Sequence, residues 1–124
     1  MANRYVTVLA SAARTALEAV EIVQASGDNP LALVFTIDVT LDAASAVITP
    51  SIQGFDPLSE TWTTILTGAA ISALGDVQLR IGIGLPVTAN LSANYAIPKK
   101  FRFNMAVADT DAITYSVGLE IVNR

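Results

Sequence analysis

The stretch "KKFRFNMAVADTDAITYSVGLEIV", Lys99 to Val122, decides the fold. Phe101, Phe103, Met105 and Val107 alternate with Arg102, Asn104 and Ala106. After "ADTD" (Ala108 to Asp111) the alternation resumes, with Ile113, Tyr115, Val117, Leu119 and Ile121 set against Thr114, Ser116, Gly118 and Glu120. Successive side chains of a strand point to opposite faces, so a period of two sustained on both sides of a turn reads as a β-hairpin. One face is apolar and the other is a mild, low-charge surface of Thr, Ser and Asn.

The same period recurs upstream. Leu33, Phe35, Ile37 and Val39 oppose Val34, Thr36 and Asp38, and Val77, Leu79, Ile81 and Ile83 oppose Gln78, Arg80 and Gly82. Weaker strands are expected from Ala16 to Val23, where Val20 and Ile22 flank Glu21, and from Ala46 to Phe55, where Ile48 and Ile52 share a face. Pro50 suggests an edge or a bulge there, because it cannot donate to a ladder. A short strand from Thr61 to Thr67 carries Trp62 and many β-branched residues. The Ala-rich run from Ala10 to Val20 admits a helical turn, but a strand entering the sheet is the preferred reading.

Turn chemistry joins these segments at "SGDNP" (Ser26 to Pro30), "DPLSE" (Asp56 to Glu60), "LGD" (Leu74 to Asp76) and "ADTD". Short links between strands imply antiparallel pairing, since a parallel pair needs a long crossover. With no helix to cover the apolar faces, sheet must pack on sheet. The expected fold is therefore all-β: a single antiparallel β-sandwich, jelly-roll or immunoglobulin-like, with about seven to eight strands. Residues 16–124 would form the sandwich and residues 1–15 a flexible N-terminal arm. "GLPVTANLSANYAIPKK", Gly84 to Lys100, is long for a turn and apolar for a loop. Leu85, Val87, Leu91, Tyr95 and Ile97 are expected to pack over an end of the sandwich or against another chain.

Composition narrows the function. The 124 residues suit one domain. Hydrophobic residues make up 52% and charged residues 15%, a surface poor in charge that favours association. The net charge of -4, from 7 basic and 11 acidic residues, argues against nucleic-acid binding, and Lys99-Lys100 alone makes no basic patch. Cys and His are both absent. That removes disulfides, thiolate and imidazole metal sites, and Ser-His or Cys-His nucleophile pairs. Arg4 before the mildly apolar run from Tyr5 to Ala13 resembles a signal peptide only weakly, because Thr7 and Ser11 interrupt the run and Arg14 follows without a break. No stretch approaches the apolar length of a membrane helix, so a soluble protein without membrane contact is expected.

Individual motifs carry little chemistry. "GIG" (Gly82 to Gly84) is followed by Leu85-Pro86 rather than by a helix that would meet a phosphate, so a bend as the strand ends is the better reading. Asp109 and Asp111 fall short of the six to eight oxygens calcium takes, and fit local turn hydrogen bonds. Most carboxylates, among them Asp28, Asp56, Glu60 and Asp76, lie in expected turns, and no catalytic pair stands out. Trp62, with Tyr95 and Phe55, would suit a carbohydrate-stacking platform, although a lone Trp on a short strand more often anchors a core or an interface. "NLS" (Asn90 to Ser92) matches a glycosylation sequon that matters only in a eukaryotic secretory setting. No cofactor and no metal are expected, and the chain does not read as an enzyme.

Five segments together carry a resemblance: "IQGFD" (Ile52 to Asp56), "DPLSETWTTIL" (Asp56 to Leu66), "LRIGIGL" (Leu79 to Leu85), "TANLSAN" (Thr88 to Asn94) and "ITYSVG" (Ile113 to Gly118). In these the chain resembles small virion proteins of tailed bacteriophages, over roughly its last three-quarters. The resemblance implies a capsid decoration (cement) protein, made in the host bacterial cytoplasm and carried on the capsid surface. Its partners would be the major capsid protein and further copies of itself, by family habit as a homotrimer. A tail or neck structural protein and a carbohydrate-binding module are the alternatives. On the decoration reading, Ala2 to Arg14 would be a segment ordered by the capsid, through Arg4, Tyr5, Val6 and Leu9. The second contact would be the Gly84 to Lys100 loop, through Leu85, Val87, Leu91, Tyr95 and Ile97.

Overall fold

The computed structural model describes residues 2–42, 46–108 and 111–124. Among them are nine strands and no helix: β1 (Arg4–Arg14), β2 (Glu18–Val23), β3 (Pro30–Leu41), β4 (Ile48–Asp56), β5 (Thr61–Thr67), β6 (Gly75–Gly82), β7 (Ser92–Asn94), β8 (Lys100–Val107) and β9 (Ile113–Asn123). They form a five-stranded sheet, ordered β1-β9-β3-β6-β7, and a four-stranded sheet, ordered β2-β8-β4-β5. The pairs β1·β9, β2·β8, β3·β6 and β4·β5 are all antiparallel and nest one inside the next, as in a long ribbon folded at the β4–β5 turn. Lateral pairing of β3 with β9 and of β4 with β8 rolls that ribbon into two layers.

The alternating residues meet between the layers. Leu33, Phe35, Ile37, Leu79, Ile81, Phe101, Phe103, Met105, Ile113, Tyr115 and Ile121 are all fully buried in one cluster. Phe35 of the five-stranded sheet stacks on Phe103 of the other, with ring centroids 5.5 Å apart, and meets Phe101 edge-on at 6.2 Å. This sandwich-like all-β architecture is the one the alternation implied. The apolar series thins at its ends: Val77 and Val107 are only partly buried, and Ile83 is 72% exposed. β6 ends at Gly82, and Gly84, with φ 82°, turns the chain away before Ile83 finds a core to enter.

The strand count is nine rather than seven to eight, because the chain supplies strands at both edges of the larger sheet. Arg4–Arg14, expected as a flexible arm, is the edge strand β1, hydrogen-bonded to β9 from Arg4↔Ile121 to Arg14↔Ile113 with two bulges. The mildly apolar run from Tyr5 to Ala13 is long enough for a strand, and it buries Val8 and packs Val6 and Leu9 on the core. At the opposite edge, Ser92–Asn94 forms β7, which pairs with β6 in parallel. The expectation of purely antiparallel pairing fails there, because the intervening Ile83–Leu91 stretch carries the chain back to run in the same direction.

Pro50 also departs from expectation, since β4 is an interior strand paired on both sides. A residue's N–H and C=O point to the same side of a strand. The Pro50 carbonyl accepts the Gly68 amide at 2.8 Å, so its donorless nitrogen faces the side where β5 has already ended at Thr67. The ladder to β8 loses nothing. Of the expected turns, "DPLSE" is built as foreseen. The Asp56 carboxylate accepts from the Leu58 amide at 3.1 Å and from the Ser59 hydroxyl at 2.8 Å, contacts that hold its pKa below the usual value. "ADTD" lies in part outside the described residues, and with it the reading of Asp109 and Asp111 as a pair.

A polar knot ties both termini to the β2–β3 turn. The Arg4 guanidinium donates to both oxygens of Asp28, the shortest contact being 2.7 Å. Asp28 also accepts from the Ala25 amide at 2.8 Å and from Asn123 Nδ2 at 3.4 Å. The Asn123 side chain further accepts from the Asn29 amide and donates to the Ala2 carbonyl. The Arg4 hydrogen bonds, with those of Ala25 and Asn123, pull the Asp28 pKa from 3.8 to about 2. A depressed carboxylate stabilises the folded state above its unfolded pKa, and that contribution is lost as pH falls from near 3.8 to about 2. Asp28→Asn should therefore lower the melting temperature at neutral pH and flatten its fall across that acid window, measured by circular dichroism. An equally steep acid fall in the variant would remove Asp28 from this role.

Candidate functional site

Three outer surfaces offer contacts, and their geometry follows from the strand order. The first lies at the β6–β7 end. Ile83, Val87, Leu91 and Tyr95 are exposed there, and Leu74 from the β5–β6 connection is exposed as well. A groove of about 360 Å³ is lined by Ala69, Ala70, Ala73, Leu74, Val77 and Leu91, among others. The "TANLSAN" segment shapes this region through its own polar side chains. Ser92 Oγ accepts from the Thr88 amide at 3.0 Å and donates to the Pro86 carbonyl at 2.6 Å, and Asn94 Oδ1 accepts from the Gly84 amide at 2.8 Å. Asn90 adopts φ 64°, which Asn tolerates better than most residues. The backbone then bonds back onto β6, with the Arg80 amide donating to the Leu91 carbonyl at 2.9 Å and the Tyr95 amide to the Gly82 carbonyl at 3.1 Å. Apolar side chains are thus held outward on an internally hydrogen-bonded loop.

The nine expected contact residues divide by environment. Arg4 is occupied by Asp28, while Val6, Leu9 and Ile97 pack against the core. Leu85 is half-buried. Tyr5, Val87, Leu91 and Tyr95 remain exposed. The two groups do not come together: β1 and β7 are opposite edges of one sheet with three strands between them, roughly 19 Å apart at normal strand spacing.

The second surface is the outer face of the four-stranded sheet. Phe55 and Trp62 pair across β4 and β5 with centroids 5.0 Å apart. Arg102 lies over the Trp62 ring at 4.4 Å and donates to Gln53 Oε1 at 2.6 Å, and Lys100 sits 4.6 Å from the Phe55 centroid while pairing with Glu21 at 3.0 Å. The suggested Trp62–Tyr95–Phe55 platform is assembled only in part. Tyr95 belongs to the other sheet's edge and makes no ring contact with Trp62 among the described residues, and a guanidinium occupies a face of the indole.

The third is the outer face of the five-stranded sheet. Asp38 and Asp76 stand directly opposite each other on β3 and β6. Asp38 is raised above its usual pKa, first by its hydrogen bond to Asp76 and then by desolvation and the neighbouring charge. Two carboxyls sharing a hydrogen bond are closer than the ~5–9.5 Å at which a glycosidase pair works. No group of three or more potential metal-ligating side chains occurs among the described residues.

No known family model matches the chain, and no curated protein matches it either. Function must therefore be argued from these surfaces. Sequence reading missed the polar knot at Asp28 and Asn123, the Arg102–Trp62 stack and the Asp38–Asp76 pair. Alternation placed Asp38 and Arg102 on outer faces, but no local signal says which strand lies beside which.

Proposed function

We propose that this is a non-enzymatic structural protein of a tailed-bacteriophage virion, which decorates and stabilises the capsid by binding the assembled major capsid protein shell. The observation that carries the reading is the β6–β7 surface, where Leu74 and Leu91 are exposed on the lining of a largely apolar groove and Ile83 and Val87 are exposed on the same connecting loop as Leu91. Scattered apolar residues are normal on a monomer, but several exposed on one loop that also lines a groove mark an interaction site. The strand orders β1-β9-β3-β6 and β2-β8-β4-β5 support a jelly roll over an immunoglobulin-like sandwich, a plan that viral capsid domains share with lectins. Fold alone does not give function, and the weight rests on the surface.

Mechanistically, a protein that binds only the assembled shell shifts the equilibrium toward assembly. Each copy contributes modestly, and many copies act together. The low-charge exterior suits this, since little ionic desolvation opposes burial. A homotrimer at the shell surface is the arrangement proposed.

Substituting Leu91→Asp tests the proposal. Because Leu91 is 46% exposed, stability should fall by only about 1 kcal/mol, which leaves the chain folded. Co-sedimentation with heads stripped of the protein should fall about tenfold or more in apparent affinity, with electron microscopy showing bare shells. A variant that binds heads as well as the parent protein would overturn the assignment of this surface, and a parent protein that never binds heads would overturn the function.

A further inference from the structure

A hollow lies on the outer face of the five-stranded sheet, lined by residues of β1, β9, β3 and β6 and by none of the β6–β7 loop. The rung Thr7–Gly118–Thr36–Gln78 crosses four strands, from β1 through β9 and β3 to β6. Gly118 is the floor: a Cβ added there meets nothing within 4 Å. Thr7 stands on one side, and Thr36 and Gln78 on the other, with Gln78 Nε2 donating to Thr36 Oγ1 at 3.3 Å. Tyr5 and Glu120, opposite each other on the adjacent rung, close one end of a groove of about 340 Å³.

Tyr5 is the telling residue. The residue is 74% exposed, yet its hydroxyl is anchored, donating to Glu120 Oε2 at 3.0 Å. Asn3 Nδ2 donates to the same oxygen at 2.8 Å. An exposed aromatic ring at the end of a groove whose floor has no side chain, lined by hydroxyl, amide and carboxylate groups, has the composition of a site for a small polyhydroxylated ligand. Both donors and acceptors are present, at cross-strand spacing. The lining itself contains one carboxylate and no cation, and the nearby Arg80 guanidinium is engaged by Gln78 Oε1 at 2.8 Å, an arrangement that favours a neutral ligand. The volume sits at the small end of the ~300–1,000 Å³ range of small-molecule sites.

We propose that this groove binds a neutral sugar, with one pyranose ring stacked on Tyr5 and its hydroxyls exchanging hydrogen bonds with Thr7, Thr36, Gln78 and Glu120. The site is distinct from the Trp62 face and independent of capsid binding.

Amide chemical shifts of the full chain, titrated with methyl glucoside, galactoside, mannoside and N-acetylglucosaminide, test it. At least one of these probes should move Thr7, Thr36, Gln78 and Gly118. Tyr5→Ala should weaken that binding about tenfold or more, and Gly118→Leu should do the same by filling the floor, with both melting transitions essentially retained. Tyr5→Phe keeps the ring and should keep most of the affinity. The proposal is overturned if none of the four glycosides shifts these amides, if shifts cluster at Trp62 instead, or if an oligolysine peptide moves them while no glycoside does. Leu91→Asp should leave the titration unchanged, so failure of the capsid reading and failure of this one are separately visible.

Discussion

Deleting residues 1–14 is expected to leave a chain that no longer unfolds cooperatively. The deletion removes β1, and with it the strand that covers one ladder edge of β9 from Ile113 to Ile121. It strips Val8, Val6 and Leu9 from the core cluster and breaks the Arg4–Asp28 pair. One buried and two partly buried aliphatic side chains represent on the order of 4 kcal/mol of burial, against a total stability of about 5–15 kcal/mol for a domain. The bared edge of β9 also invites pairing with other chains. Tyr115 supplies a spectroscopic readout. It is buried beneath Arg14, whose guanidinium lies 4.9 Å from the ring centroid, and burial pushes its phenol up to about 12. In the truncated chain the hydroxyl should ionise closer to its usual value near 10. Urea unfolding at the parent midpoint, with Tyr115 ionisation unchanged, would show that the segment is a dispensable arm after all.

Phe35→Ala should be the most damaging single substitution in the centre of the sandwich, costing about 3–5 kcal/mol. Phe35 is fully buried on β3, between β9 and β6, and its ring bridges to Phe103 and Phe101 of the opposite sheet. Truncation therefore empties space on both sides of the interlayer contact, and strands already hydrogen-bonded to their neighbours have little freedom to collapse into it. Urea denaturation should show a lower midpoint with little change in slope, the signature of lost stability without a change in compactness. Phe35→Leu should recover more than half of the loss. Phe55→Ala makes the control: Phe55 is only partly buried, on the outer face beside Trp62, and its loss should cost far less. A loss at Phe35 no larger than at Phe55 would mean that the two layers are not held by this aromatic contact.

Legibility in the sequence followed the length and regularity of each alternating run. Ile113 to Ile121 and Leu33 to Val39 show the correct face residue by residue, because a large apolar side chain recurs at every second position for at least seven residues. Thr61–Thr67 matched its strand end for end, since turn residues bound it on the N-terminal side and Gly68 follows it. Arg4–Arg14 was misread because its second half, "ASAAR", has no alternation. That half is a bulged edge held by Arg14, which donates to the Ala10, Ala12 and Tyr115 carbonyls. β7 was invisible because three residues paired through backbone leave no periodic trace.

The sequence by itself determined the core-facing series of the long alternating strands, that the described residues form strands and no helix, and that His- and Cys-dependent chemistry is absent. Those properties are local: alternation comes from the pleat, and composition needs no fold. Only the tertiary structure decided that β1 and β9 lie side by side, that Asp38 meets Asp76, and that Tyr5 and Gly118 line one hollow. Strand neighbours are chosen by backbone hydrogen bonds between residues far apart in the chain. The donors and acceptors that make those bonds are the same at nearly every position, so the side-chain order does not record the choice.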